Sequence, residues 1–138
     1  MHYTGDISVA DVWKALTMDK TAVLVDVRTS AEWAFVGTCD LSELGTSPLL
    51  ISWQEYPHMG INPAFTQMIE EKYIQKDQPL YFLCRSGVRS KAAAAAMVRA
   101  GYEKCYNILD GFEGGPDAAG HRGAISGWKV AGLPWTQG

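Results

Sequence analysis

The stretch Leu80-Tyr81-Phe82-Leu83-Cys84-Arg85-Ser86-Gly87-Val88-Arg89-Ser90 decides the fold. Leu80 to Leu83 is a short, unbroken apolar run. That is the pattern of a strand buried on both faces of a parallel sheet. Cys84 to Arg89 holds a glycine and two arginines and reads as a tight turn. Ser90 to Ala100 is rich in alanine, the best helix former, and Gly101 is placed to end that helix. The unit is strand, turn, helix.

The same alternation extends outward. Ser8 caps a helix over Val9–Leu16, and Ala22–Val27 is a second buried strand. Ser30 opens a short helix through Ala31–Phe35. Residues 37–48 read as loop, Leu49–Trp53 as a strand, and 54–62 as a long connection. Asn62 and Pro63 then suit the N-cap and first position of a helix with an apolar stripe of Phe65, Met68, Ile69 and Tyr73. Cys105–Leu109 is a short strand. Residues 110–127 are rich in glycine, and Trp128–Ala131 reads as a final short helix. Strands alternating with helices give an α/β fold, a mostly parallel central sheet with helices on both faces.

The length, 138 residues, suits one domain spanning residues 1–138. Hydrophobic residues are 47% and charged residues 20%, ordinary for a globular chain and unlike a disordered one. The net charge of -3 argues against nucleic acid as a partner. No apolar run approaches the ~20 residues that span a bilayer, so no membrane partner is expected. The start shows neither the basic region nor the apolar core of a signal peptide, and a cytoplasmic setting is expected. Three cysteines, Cys39, Cys84 and Cys105, make no disulfide framework. None lies at CxxC spacing and the histidines are scattered, so neither a metal site nor a cofactor is expected.

Cys84 stands apart from the other two. It follows a buried strand and precedes a helix, where ligands bind in open α/β sheets. The loop Arg85, Ser86, Gly87, Val88, Arg89, Ser90 can aim several backbone N–H groups at one point, and the helix dipole adds to them. Two arginines beside a cysteine favour its thiolate. The expectation is a nucleophilic Cys84 in a small cationic pocket that takes an anion. Cys39 reads as buried filler. Asp26, Arg28 and Glu32 read as structural, with Arg28 and Glu32 as an i,i+4 pair and Asp26 orienting nearby backbone.

Three motifs resemble the rhodanese family of sulfurtransferases. The first is Leu24-Val25-Asp26-Val27-Arg28, followed by Glu32-Trp33 and Gly37. The second is the Cys84 to Ser90 loop. The third is Tyr106-Asn107-Ile108-Leu109-Asp110-Gly111-Phe112, resumed at Gly127-Trp128 through Pro134. The resemblance implies a rhodanese-like fold and ping-pong sulfur transfer through a persulfide on Cys84. The donor would be a small sulfur-bearing anion such as thiosulfate, its sulfonate oxygens held by Arg85 and Arg89. The acceptor would be a thiol or a protein. The order Cys-Arg-x-Gly-Val is more similar to thiosulfate-preferring members than to mercaptopyruvate-preferring ones.

The chain departs from the family in two places. Thr38-Cys39-Asp40 replaces the usual histidine and Pro-Gly turn after the first signature. Residues 114–126 split the closing signature. They carry His121 and Arg122, expected at the pocket rim with a part in acceptor choice.

Other functions share parts of this pattern. A persulfide carrier or an interaction module for a protein partner would need the same fold. Phosphatases and arsenate reductases also place a cysteine and an arginine in an anion loop. Tyrosine phosphatases have five residues between the two, whereas four separate Cys84 from Arg89.

Overall fold

The structure is a computed structural model that describes residues 2–137. In chain order the elements are β1 (Gly5–Ile7), α1 (Val9–Met18), β2 (Val23–Asp26), α2 (Ser30–Phe35), β3 (Thr38–Cys39), a 3₁₀ turn (Ser42–Leu44) and β4 (Leu49–Leu50). There follow β5 (Gln54–Glu55), β6 (Gly60–Ile61), α3 (Phe65–Glu70), β7 (Leu80–Leu83), α4 (Val88–Arg99), β8 (Cys105–Ile108) and β9 (Trp135–Thr136).

Five strands form one parallel sheet in the order β1-β8-β7-β2-β4. Successive residues of its central strands feed two different cores, as strand geometry requires. Val25, Leu80, Phe82 and Cys105 face α3 and α4. Leu24, Tyr81, Leu83 and Ile108 face α1 and the C-terminal segment, where Phe112 and Trp128 are fully buried. Burying each such large apolar side chain contributes about 1.5–3 kcal/mol. Ala93, Ala94 and Ala95 are fully buried, so the alanine run lets α4 lie close to the sheet.

The chain order places the site. From β2 the chain moves outward to β4, then returns to the other side of β2 to form β7. The carboxyl ends of β2 and β7 therefore flank the point where strand order reverses, the usual place for a ligand crevice. The Val27 N–H donates to the Leu83 carbonyl at 2.8 Å and ties the two ends together.

Several local expectations are corrected. Strand β1 has no counterpart among the expected elements, because Gly5-Asp6-Ile7 is short and polar at its centre. The helix after β2 is capped by Thr29, not Ser30. Thr29 and Glu32 form a capping box, each side chain accepting from the other's backbone N–H. Asn62 and Pro63 lie before α3 and do not begin it. Asn62 Oδ1 accepts from Ala64 N–H at 3.0 Å, and Ala64 is the N-cap. Phe65 and Ile69 are buried as expected, but Tyr73 lies beyond the helix at φ 59 and is 88% exposed. The strand after the 37–48 loop is only Leu49–Leu50, and the 54–62 connection holds the small antiparallel pair of β5 and β6. The 37–48 loop contains β3, which pairs with β9. Residues 128–131 form a single turn and no helix; Trp135–Thr136 then forms β9.

Candidate active site

Cys84 follows β7 directly and is 1% exposed. Its sulfur accepts the Gly87 N–H at 3.0 Å and lies 3.2 Å from Ser90 Oγ. Gly87, at φ 120, is the N-cap of α4 and supplies no side chain there. The helix runs from Val88, two residues earlier than expected. The first N–H groups of a helix have no partner within it. The first turn of α4 thus leaves donors beside the sulfur, and the helix dipole stabilises negative charge there.

The base of the loop is clamped from the far side. Phe112 N–H donates to the Cys84 carbonyl at 2.8 Å. Glu113 and Gly114 N–H both donate to the Arg85 carbonyl, at 3.0 and 3.1 Å. This contact requires glycine at 111. Its φ is 58, and an added Cβ would run into the Cys84 carbonyl oxygen and come within 2.7 Å of Arg85 backbone atoms.

Ser90 is fully buried and starts a polar chain. Its hydroxyl lies 2.5 Å from Asn107 Oδ1 and 3.1 Å from the Gly87 carbonyl. Asn107 Nδ2 donates to Asp6 Oδ1 at 3.0 Å, and Tyr3 donates to the same oxygen at 2.8 Å. These bonds, Asn107 foremost, hold the Asp6 carboxyl below the usual range. Asn107 and Asp6 were not anticipated. The available signal was a lone amide inside the apolar run of β8.

Both arginines that flank the crevice carry a carboxylate. Arg28 is fully buried and grips Asp26 through two bonds, Nε to Oδ1 at 2.9 Å and Nη2 to Oδ2 at 2.7 Å. Its guanidinium also donates to the Gly37 carbonyl and sits 4.3 Å from the Phe112 ring centroid. Burial pulls its pKa down, but the bond and charge of Asp26 leave it raised. Arg89 grips Glu32 at 2.6 and 3.0 Å. Burial opposes the charge on each partner of this pair too. Their mutual hydrogen bonds and attraction win, lowering Glu32 and raising Arg89. The expected Arg28–Glu32 pair therefore does not form. Helix α2 begins at Ser30, so Arg28 lies outside it and helical spacing does not apply.

The remaining expected residues are scattered around the loop. Arg85 is exposed, and among the described residues its side chain makes no ion pair. Ser86 is half-buried, Gly87 is buried, and Val88 is 78% exposed. Arg122 donates to the carbonyl of Gly114, a residue of the clamp on Arg85, at 2.7 Å. His121 is exposed, its N–H bonded to Asp117 Oδ1 at 2.8 Å. Cys39 and Cys105 are both buried, Cys39 near the Asp26–Arg28 pair and Cys105 at the start of β8. Burial pushes the Cys39 thiol well above its usual range and the Cys105 thiol up to about 12. A cavity of about 270 Å³ lined by Trp33, Ile51, Ser52, Glu55 and Met68 opens beside α2. Another of about 330 Å³, lined by Lys20, Thr21, Val23 and Lys72, lies at the amino end of β2, away from Cys84.

Comparison with known proteins fixes the family. The model of the STR4 middle domain matches residues 4–138. The chain belongs to the STR4 middle-domain family. Within that family setting, it is 47% identical to Rv0390 from M. tuberculosis, whose crystal structure superposes with a TM-score of 0.89 over 99% of this chain and 100% of that one. It is 38% identical over 130 residues to the uncharacterized protein RP600 of Rickettsia prowazekii, covering 94% of this chain and 95% of the relative. The polysulfide-sulfur transferase homodimer of Wolinella succinogenes shares the fold at a TM-score of 0.64 and 17% identity, over 98% of this chain and 80% of that one. This STR4 middle-domain chain has the rhodanese-like fold that its three motifs imply. Among the described residues no helix is long and apolar enough to cross a membrane.

Proposed function

We propose that the protein is a sulfurtransferase that carries a sulfane sulfur as a persulfide on Cys84. One observation carries the reading. The Cys84 sulfur receives a backbone N–H at the uncapped start of α4, within a loop clamped by residues 112–114. The arrangement suits a nucleophile that is an anion before and after it takes up sulfur.

With thiosulfate, the Cys84 thiolate attacks the outer sulfur. A bond forms between Cys84 Sγ and that sulfur as the donor's S–S bond breaks. Its electron pair leaves on sulfite. The persulfide anion then lies among the free N–H groups of α4. A thiophilic acceptor attacks its outer sulfur and restores the thiolate. Cyanide would leave as thiocyanate, and a thiol or a protein cysteine would take the sulfur in the same way. Arg85 borders the donor's approach, and the 114–126 segment, through Arg122, shapes the approach of the acceptor. No metal or cofactor enters these steps.

Thiocyanate formation from thiosulfate and cyanide tests the reading. Wild type turns over and Cys84→Ser does not. Equal turnover by the variant would overturn it. Persulfide loading of Cys84 with no turnover to cyanide or a small thiol would favour a carrier that serves one protein partner.

A further inference from the structure

The expected cationic pocket is not what the side chains build. Arg28 and Arg89, the two arginines held nearest the crevice, each donate twice to their own carboxylate. The Asp26–Arg28 pair is fully buried, and the Glu32–Arg89 side chains are only 19% and 15% exposed. Glu32 is also anchored at the start of α2, where it accepts from Thr29 N–H at 3.3 Å and Thr29 Oγ1 at 3.2 Å. It cannot follow Arg89 if that side chain swings toward a donor. What remains for an anion is the backbone at the start of α4, with a dipole worth about half a charge. Arg85 adds a charge that water and salt screen.

We infer that Glu32 is a specificity-determining residue of this site: by holding Arg89 it leaves the donor cradle nearly neutral and selects singly charged sulfane donors over dianionic thiosulfate. The inference rests on the persulfide reading of Cys84 and deepens it. An organic thiosulfonate anion, R–SO₂–S⁻, is the matching singly charged donor. The Cys84 thiolate attacks its outer sulfur, the S–S bond breaks, and the electron pair leaves on the sulfinate R–SO₂⁻. The product is the same Cys84 persulfide anion, and charge balances. Thiosulfate differs by one anionic oxygen in place of the organic group. A freed Arg89, added to the exposed and screened Arg85, would reward that second charge. Arg89 held by Glu32 does not.

The test compares kcat/KM for methanethiosulfonate and thiosulfate, with cyanide as acceptor. Glu32→Gln frees Arg89, and the thiosulfate-to-thiosulfonate ratio rises about tenfold, the effect of one uncompensated charge near the surface. Glu32→Gln combined with Arg89→Gln restores the wild-type charge count, and the ratio returns to within about threefold of wild type. The double variant also tests the claim should the single one fold poorly. An unchanged or falling ratio in Glu32→Gln would overturn the inference. So would a selective loss of thiosulfate use in the double variant, which would mean that Arg89 grips the donor while still paired. If wild type makes thiocyanate from neither donor and Cys84 gains no sulfur, the sulfur-transfer reading itself fails.

Discussion

Cys84 and Cys105 are both buried and sit on neighbouring strands, yet their surroundings are opposite. Cys105 begins β8 at the amino end of the sheet. Its sulfur meets one acceptor, the Tyr102 carbonyl, at 3.8 Å, and burial pushes its thiol up to about 12. Cys84 follows β7 at the carboxyl end. Its sulfur meets a donor, the Gly87 N–H, and the start of a helix. Burial is common to both, so burial does not make a nucleophile. We propose that the carboxyl end of the parallel sheet does, because there the next helix begins and turns its free N–H groups toward the strand end.

The largest difference is expected between serine variants of the two cysteines. Cys84→Ser abolishes thiocyanate formation. Cys105→Ser leaves kcat/KM within about twofold and costs about 1–3 kcal/mol of stability, since it buries a hydroxyl with a poor partner. Parallel assays and denaturant melts check both. Loss of turnover in a folded Cys105→Ser would show that the two ends of the sheet are not independent.

A somewhat smaller effect is expected from the clamp. Gly111→Ala forces a side chain into a left-handed backbone and against the Cys84 carbonyl. It lowers stability by about 2–4 kcal/mol and turnover by more than about tenfold. Wild-type turnover in this variant would show that the clamp does not set the loop.

Smaller again is the effect of the polar chain. Ser90→Ala removes the hydroxyl shared by Cys84 and Asn107 and leaves the Asn107 oxygen unsatisfied. The cost is about 1–3 kcal/mol in stability and a few-fold in turnover. An unaltered melt would show that the chain is not a structural unit.

The smallest effect separates the two ion pairs. Glu32 has a lowered pKa in the folded protein, so its contribution to stability is present above the ordinary value of 4.5 and is lost as pH falls through its lower folded value. The stability difference between wild type and Glu32→Gln stays constant from pH 7 to about 5 and shrinks only below 4.5. A difference that vanishes well above that pH would show that the pair does not hold Glu32 ionised.

The sheet's central strands and α4 are legible because β2 and β7 are unbroken apolar runs and α4 is rich in alanine, although the ends of β2 and α4 shift by one or two residues. The loop around Cys84 was legible for the same reason, since strand, turn and helix are contiguous there. What lay beyond local pattern was not. Arg89 finds Glu32 across 57 residues of chain, while local spacing pointed to Arg28. Asp6 reaches Asn107 across 101 residues, from a strand too short and too polar to register. Gly111 was visible as a motif residue, but its closeness to the Cys84 backbone is a tertiary fact. Loop spacing shows Arg85 and Arg89 beside Cys84, but the carboxylate that holds Arg89 comes from another element, α2.

Persulfide formation on Cys84 is read most directly from the mass of the intact protein after treatment with a sulfane donor and removal of excess reagent. One added sulfur atom, removed by cyanide, is expected in wild type, in Cys39→Ser and in Cys105→Ser, and none in Cys84→Ser. Sulfur that persists in Cys84→Ser, or that vanishes in Cys105→Ser, would contradict it.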